Sequence, residues 1–197
     1  MNDAQMVNNN TGYAVGNNGN ILKTTDGGLT WKVMAMPLTE NWKAVNFYDE
    51  NNGIAISATE IIKTTDGTNW NELSGGPVSG ESANEVVMTS GSEAFIVGET
   101  GTNAAIWKVN GTTITSETIN GSGPTSSLNA VAIVRKPSAT KGKLFAAGNN
   151  GTLIRLNSDA HENIVIEEQI EIIEEKKQEE KNIVESQQKL AEINFTG

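Results

Sequence analysis

Thr24-Thr25-Asp26-Gly27-Gly28-Leu29-Thr30-Trp31 is followed later in the chain by Thr64-Thr65-Asp66-Gly67-Thr68-Asn69-Trp70. In both stretches a polar turn with an aspartate and a glycine ends on a tryptophan. The two copies lie about 40 residues apart, which is the spacing of repeat proteins built from four-stranded units. This repeated stretch therefore decides the fold class that the sequence predicts.

The repeat extends beyond these two turns. A short apolar run with glycine or serine at its end occurs four times, at Gly12–Gly16, Gly53–Ser57, Ala94–Gly98 and Leu144–Gly148. Further short apolar runs flank each copy, separated by Gly, Asn and Asp, which is the pattern of strands joined by tight turns. A fourth strand is predicted in the third unit at Ile114–Ile119. The sequence predicts an all-β propeller with about four recognisable four-stranded blades in residues 1–159.

The number of blades leaves the architecture partly open. A β-sandwich of short strands is the rival fold, but a sandwich does not require the same turn chemistry at a fixed period. Within the propeller class, three arrangements are possible. The four blades form a compact ring, blades of several chains join in a larger ring, or the chain is a piece of a longer polypeptide.

The quoted turns carry a family resemblance. Thr24-x-Asp26-x-Gly28-x-Thr30-Trp31 resembles the Asp-box, or BNR repeat, of sialidases and related propellers. The stretch from Gly12 to Trp31 is most similar to the photosystem II assembly-factor-like group. The second box is one residue shorter, and the third and fourth units lack the box. The resemblance covers roughly residues 1–159 and implies an Asp-box β-propeller.

We interpret the box residues as structural. An aspartate in a tight turn accepts hydrogen bonds from nearby backbone N–H groups, glycine permits a positive φ, and tryptophan covers the hairpin. The alternative is that the aspartates are catalytic or bind a metal. The residues that receive the structural role are Thr24, Asp26, Gly28, Trp31, Thr64, Asp66, Gly67 and Trp70. The resemblance implies the same, because these family loops lie on the outer rim.

A sialidase-type active site is not expected. The resemblance implies that those enzymes use three arginines, an acid/base carboxylate and a tyrosine nucleophile. Bidentate binding of a carboxylate requires arginine rather than lysine, and the chain contains only Arg135 and Arg155. Tyr13 lies in a run that is expected to pack, and Tyr48 lies at a strand end. We therefore assign no catalytic residue and expect no enzyme.

Composition argues against several further functions. The chain has no cysteine and a single histidine, His161, so no metal or cofactor site is expected. Its net charge of −10 argues against a nucleic-acid partner. No run of 18 apolar residues is present, so no membrane span is expected. The first residues lack the basic and apolar regions of a Sec-type signal peptide.

The last segment, residues 160–197, differs from the rest. It is rich in Glu, Lys, Gln and Ile and has no Pro, and its Gly is the final residue. Ile166, Ile170 and Ile173 have the alternating four-and-three spacing of a coiled-coil seam, which resumes near Ile183. We expect a long helix that forms a homo-oligomer, with a trimer favoured. The alternative is a single helix that packs on its own propeller or remains solvated.

These features give three hypotheses of function. The first is a non-enzymatic propeller head on an oligomerising helix, in a fibre, a virion or a surface-attachment protein that binds a protein or glycan. An assembly-factor-like scaffold that binds a protein partner is the alternative, and a sialidase-like enzyme is third. Any site is expected on the loops Asn17–Asn20, Thr100–Asn103 and Asn149–Gly151. Trp42 is a candidate exposed aromatic, with core packing as the default.

Overall fold

The computed structural model describes residues 1–35, 38–117, 119–120, 126–134, 143–156 and 164–165. All of these lie in the first of two compact units, Met1–Ile166. Within this unit the described residues form four β-sheets, which follow one another along the chain.

The first three sheets each contain four consecutive antiparallel strands. The first sheet consists of β1 (Asp3–Met6), β2 (Gly12–Val15), β3 (Ile21–Thr24) and β4 (Lys32–Val33). The second consists of β5 (Ala44–Phe47), β6 (Gly53–Ile56), β7 (Ile61–Thr64) and β8 (Trp70–Glu72). The third consists of β9 (Glu81–Met88), β10 (Glu93–Thr100), β11 (Asn103–Asn110) and β12 (Thr113–Ser116).

The fourth sheet departs from this simple order. Its strands are β13 (Ile119–Asn120), β14 (Leu128–Val134), β15 (Lys143–Gly148), β16 (Leu153–Leu156) and β17 (Ile164–Val165). They lie in the order β13-β17-β16-β15-β14, with β13 parallel to β17 and the other pairs antiparallel. The four-bladed all-β propeller that the repeat predicts is therefore confirmed.

Two details of the predicted secondary structure are wrong. The run Ile114–Ile119 is not one strand, because β12 ends at Ser116 in the third sheet and Ile119 begins β13 in the fourth. Ile164–Val165 lie in the segment predicted as helix but form β17. Both are β-branched residues that suit a pleated strand, and they pair with β13 and β16.

The rest of the predicted helix lies outside the described residues. The same is true of the isoleucine seam from Ile166 onward, and of His161 and Arg135. The coiled coil and the trimer therefore remain predictions. Among the described residues, no helix has the length and apolar character needed to cross a membrane.

Three hydrophobic clusters join consecutive sheets. The first contains Tyr13 and Ile21 from the first sheet and Phe47 and Trp70 from the second. The second cluster joins the second and third sheets, and the third joins the third and fourth sheets. Each inner sheet is thus apolar on both faces. This explains why the strands are short continuous apolar runs rather than strictly alternating sequences.

Polar side chains connect strands β1, β5, β9 and β14 of neighbouring sheets. Asp3 Oδ2 accepts a hydrogen bond from the Val45 N–H at 2.8 Å. Asn46 Oδ1 accepts one from the Met88 N–H at 2.8 Å. The Asn84 amide donates to the carbonyl of Leu128 at 3.0 Å. These bonds use polar groups at the strands' open edges, so the sheets are held together by more than apolar packing.

Candidate functional site

The first Asp-box turn is organised by its threonines and aspartate. Thr24 Oγ1 donates to Asp26 Oδ1 at 2.8 Å and accepts from the Gly28 N–H at 2.9 Å. Asp26 accepts from both the backbone N–H of Thr30, at 2.9 Å, and its hydroxyl, at 2.5 Å. Both carboxylate oxygens thus accept hydrogen bonds within the turn, which supports the structural interpretation of the box.

The second box achieves the same result with one residue fewer. Asp66 accepts from Thr64 Oγ1 at 3.1 Å and from the backbone N–H groups of Thr68 and Asn69 at 2.8 and 2.7 Å. The Asn69 side-chain amide donates to Asp66 Oδ2 at 2.7 Å and replaces the threonine hydroxyl of the first box. The two tryptophans differ: Trp70 is 6% exposed, whereas Trp31 is 37% exposed.

These hydrogen bonds lower the pKa of both box aspartates. The hydroxyl and N–H of Thr30 hold the pKa of Asp26 at about 2, against an ordinary value of 3.8. The N–H and amide of Asn69 likewise hold the pKa of Asp66 far below its usual range. Both carboxylates are therefore ionised at neutral pH.

We expect the Asp26 carboxyl to titrate with a midpoint near pH 2 in the folded protein. Because its pKa is lowered by folding, the ionised carboxylate stabilises the fold above about pH 4, and this contribution is lost as the pH falls toward 2. A carbon-13 NMR titration of the aspartate carboxyl groups measures the midpoint. A value near the ordinary 3.8 would show that the turn does not hold the carboxylate as described.

In each of the first three sheets, a glycine in the turn between the third and fourth strands donates a hydrogen bond to the turn between the first and second strands. The N–H of Gly27 donates to the Asn10 carbonyl, that of Gly67 to Asn51, and that of Gly111 to Ser92, each at 2.9 Å. The third of these turns has no Asp-box sequence. This backbone hydrogen bond is therefore made in the third sheet without an Asp-box aspartate.

Lysines on the third strands connect each box region to the next sheet. Lys23 Nζ donates to the carbonyl of Gly67 at 2.9 Å, and Lys63 Nζ donates to that of Gly111 at 3.0 Å. Lys63 is 6% exposed, and burial lowers the pKa of its ammonium group. The Tyr13 hydroxyl also donates to the Gly67 carbonyl at 3.0 Å. The box turn of the second sheet is thereby anchored to the first sheet.

An open cleft lies between the first sheet's outer strand and the second box. Its volume is about 360 Å³. The lining residues are Lys23, Thr25, Thr30, Lys32, Val33, Met34, Ala35, Thr68 and Asn69. Lys32 is exposed and Val33 is 71% exposed. The cleft thus combines an accessible cation with apolar surface, a composition suited to binding a polypeptide segment.

Sequence reasoning did not find this cleft. Lys32 and Val33 follow the first box directly, but nothing in the sequence shows that Thr68 and Asn69 of the second box face them. A wider cleft of about 550 Å³ lies on Asn8, Asn9, Asn10, Thr11, Thr25 and Glu50. There the Asn8 amide donates a hydrogen bond to Glu50 Oε1.

Each predicted binding loop donates a backbone hydrogen bond to a segment that connects two sheets. The N–H of Gly19 donates to the Glu40 carbonyl at 2.7 Å, that of Gly101 to Gly80 at 3.0 Å, and that of Asn149 to Ser127 at 3.0 Å. Trp42 is completely buried, so it packs in the core instead of presenting an aromatic surface. Within the described part of the chain, no group of His, Cys, Asp or Glu is arranged to hold a metal ion.

The repeated box turns on four-stranded sheets define the class as Asp-box β-propellers. The sequence profile of the family described as Photosynthesis system II assembly factor YCF48 matches residues 1–111, which is more than half of the chain. This chain therefore belongs to the YCF48 family of assembly factors. No curated protein matches it.

Solved structures show the same fold. A YCF48 protein bound to a D1 peptide is 20% identical with a TM-score of 0.52, over 82% of this chain and 66% of that one. YCF48 from Cyanidioschyzon merolae is 21% identical with a TM-score of 0.57, over 80% and 53%. An ancestral GH74 enzyme is 15% identical with a TM-score of 0.63, over 82% and 26%. The chain thus spans about two thirds of the first YCF48 protein and about half of the second.

Proposed function

We propose that this chain is a non-enzymatic scaffold that binds an extended segment of a protein partner. The observation that carries the proposal is the YCF48 family match over residues 1–111. A member of that family has been solved with a D1 peptide bound, so peptide binding is a property of a relative. Of the functions that the sequence suggests, the assembly-factor-like scaffold is the one that the comparisons support.

The other two hypotheses have less support. No comparison points to a fibre, a virion or surface attachment, and the helix on which that hypothesis depends lies outside the described residues. The GH74 enzyme is similar in fold at 15% identity, and a shared fold does not carry a shared activity. The box carboxylates accept hydrogen bonds inside their turns, which fits a structural role.

The cleft beside the first box is the surface that we assign to the partner. Lys23 Nζ is already bonded to the Gly67 carbonyl, which leaves Lys32 as the exposed cation of the cleft. The exposed Val33 next to it offers apolar contact. A segment with a carboxylate near an apolar side chain fits this combination, since opposite charges favour both encounter and register.

We expect a labelled D1 peptide to bind the chain, and Lys32→Glu to weaken that binding about tenfold, or ~1.4 kcal/mol. The reversed charge replaces an attraction by a repulsion at the cleft. Fluorescence anisotropy gives both dissociation constants. A scrambled peptide controls for unspecific binding.

Lys143→Glu is the matched control for the cleft. It makes the same change of charge at another exposed lysine, at the start of β15 and outside the cleft. We expect the Lys143→Glu variant to bind the D1 peptide with the same affinity as the unchanged chain. Equal weakening by both variants would show that only net charge matters and would refute the assignment of the cleft.

A further inference from the structure

The cleft beside the first box follows the edge of a strand. Four of its lining residues are consecutive in the chain, and they form β4 and the two residues after it: Lys32, Val33, Met34 and Ala35. β4 is the outermost strand of the first sheet, and within the part of the chain that the structure describes no fifth strand pairs with it. An extended segment that occupies the cleft therefore lies alongside β4.

The pairing of β4 with β3 determines which backbone groups point to the open edge. The N–H of Met34 donates to the carbonyl of Ile21 at 2.9 Å, and the next pair consists of Val33 and Leu22. In an antiparallel ladder, hydrogen-bonded and non-hydrogen-bonded pairs alternate, so Val33 and Leu22 form a non-hydrogen-bonded pair. The N–H and C=O of Val33 consequently point away from β3, toward the open edge.

The exposure of this edge does not depend on what covers the faces of the first sheet. Glu72 and Ser116 occupy the position of Val33 in the second and third sheets, as their pairing with Ile62 and Trp107 shows. Both are exposed, although other sheets pack on both faces of the second and third sheets. The outer strand is thus open even in covered sheets. Val33 differs from its two counterparts because it is apolar, and it is 71% exposed.

The fourth sheet shows that this fold accepts an added strand at its outer edge. Counted from β14, its fourth strand is β17, which pairs with β16 on one side and with β13 on the other. β13 comes from a different part of the chain, before the first strand of that sheet. Since β17 and β4 are both two residues long, an outer strand of this length provides enough edge for pairing.

We propose that the partner segment binds as a fifth strand of the first sheet, through backbone hydrogen bonds to the N–H and C=O of Val33. In this general mode of peptide binding, main-chain hydrogen bonds supply affinity and alternate side chains supply specificity. The inference rests on the proposed function, and it specifies how the cleft assigned there holds its segment.

The cleft also selects the side chains of that segment. Lys32 pairs with Lys23, whose ammonium group bonds to the second sheet, so Lys32 lies on the face toward the second box. A segment residue opposite Lys32 shares this face, where a carboxylate forms a cross-strand ion pair and a cation is repelled. Two positions further, the segment lies opposite Met34, which is half-buried in the cluster between the first two sheets. The segment is therefore expected to carry a carboxylate and an apolar residue two positions apart.

Two substitutions of Val33 test the backbone pairing. Val33→Ala keeps the N–H and removes most of the side chain, whereas Val33→Pro also removes the N–H. Proline is tolerated in an edge strand where its nitrogen faces away from the sheet, and circular dichroism checks that both variants fold. We expect Val33→Pro to bind the labelled D1 peptide about tenfold more weakly than Val33→Ala in fluorescence anisotropy. Equal affinities of the two variants would overturn the proposal.

A peptide series on the unchanged chain provides a second test, which does not depend on the fold of a variant. Each peptide carries one N-methylated backbone nitrogen, which removes a single donor. In an added strand only alternate N–H groups face the sheet, so sensitive and insensitive positions should alternate along the bound part of the peptide. Binding that is insensitive at every position would overturn strand addition. No binding of the unmodified peptide would instead refute the proposed function, and this inference with it.

Discussion

Replacing Trp107 by alanine is expected to lower the free energy of unfolding by about 3–5 kcal/mol. Its side chain is 1% exposed and lies in the cluster between the second and third sheets. The same cluster contains the buried apolar side chains of Ile54, Ile56, Met88 and Ile96. Their strands are hydrogen-bonded and cannot collapse into the space without breaking sheet pairing, so a cavity remains and adds to the lost burial.

Urea unfolding followed by circular dichroism measures this effect. A loss of this size is a large fraction of the 5–15 kcal/mol that typically stabilises a domain. Leu29→Ala provides the control, because Leu29 is 86% exposed and its truncation should change stability by no more than about 0.5 kcal/mol. Equal midpoints for the two variants would contradict the packing described for the second and third sheets.

Substituting alanine for Gly67 is expected to be the most damaging change in the box turns. Gly67 has a φ of +66°, a conformation that costs a residue with a Cβ about 1–2 kcal/mol. The added methyl group would also overlap the backbone oxygen of Glu50 and lie 2.7 Å from the Tyr13 hydroxyl. Because the Glu50 oxygen belongs to the backbone, the turn itself must shift, which adds about 1–3 kcal/mol.

Gly111→Ala separates the cost of a positive φ from the cost of steric overlap. Gly111 has a φ of +64° and donates the equivalent hydrogen bond, to Ser92. A methyl group there would meet nothing within 4 Å. We therefore expect Gly111→Ala to show only the conformational cost, and Gly67→Ala to have the lower melting temperature of the two. Equal melting temperatures would mean that the box turn of the second sheet is not packed as described.

The sequence predicted the sheets well because their signals are local. Each blade is a run of short strands separated by Gly, Asn and Asp. The period of about 40 residues aligns the units that lack an Asp-box with the two that have one. Thus the third and fourth sheets were found without a box. The prediction failed where pairing is non-local: β13 and β17 are two-residue strands, and only the fold places Ile119 beside Ile164.

The candidate cleft was not predictable for the same reason. Lys32 and Asn69 are far apart in sequence, and they line one cleft only because the first two sheets pack together through Tyr13 and Phe47. In contrast, the burial of Tyr13 was expected from its apolar run. The exposure of Leu153 was not predictable either, because the residues at the equivalent positions of the other sheets, Ile21, Ile61 and Ile106, are equally apolar and are buried. Exposure depends on the neighbour and not on the residue.

Titration of the unchanged chain with the D1 peptide, followed by isothermal calorimetry, is the most direct test of the scaffold function. We expect saturable binding with one peptide for each chain, and weaker binding after Lys32→Glu. No detectable heat or saturation up to the solubility limit of the peptide would contradict the proposed function.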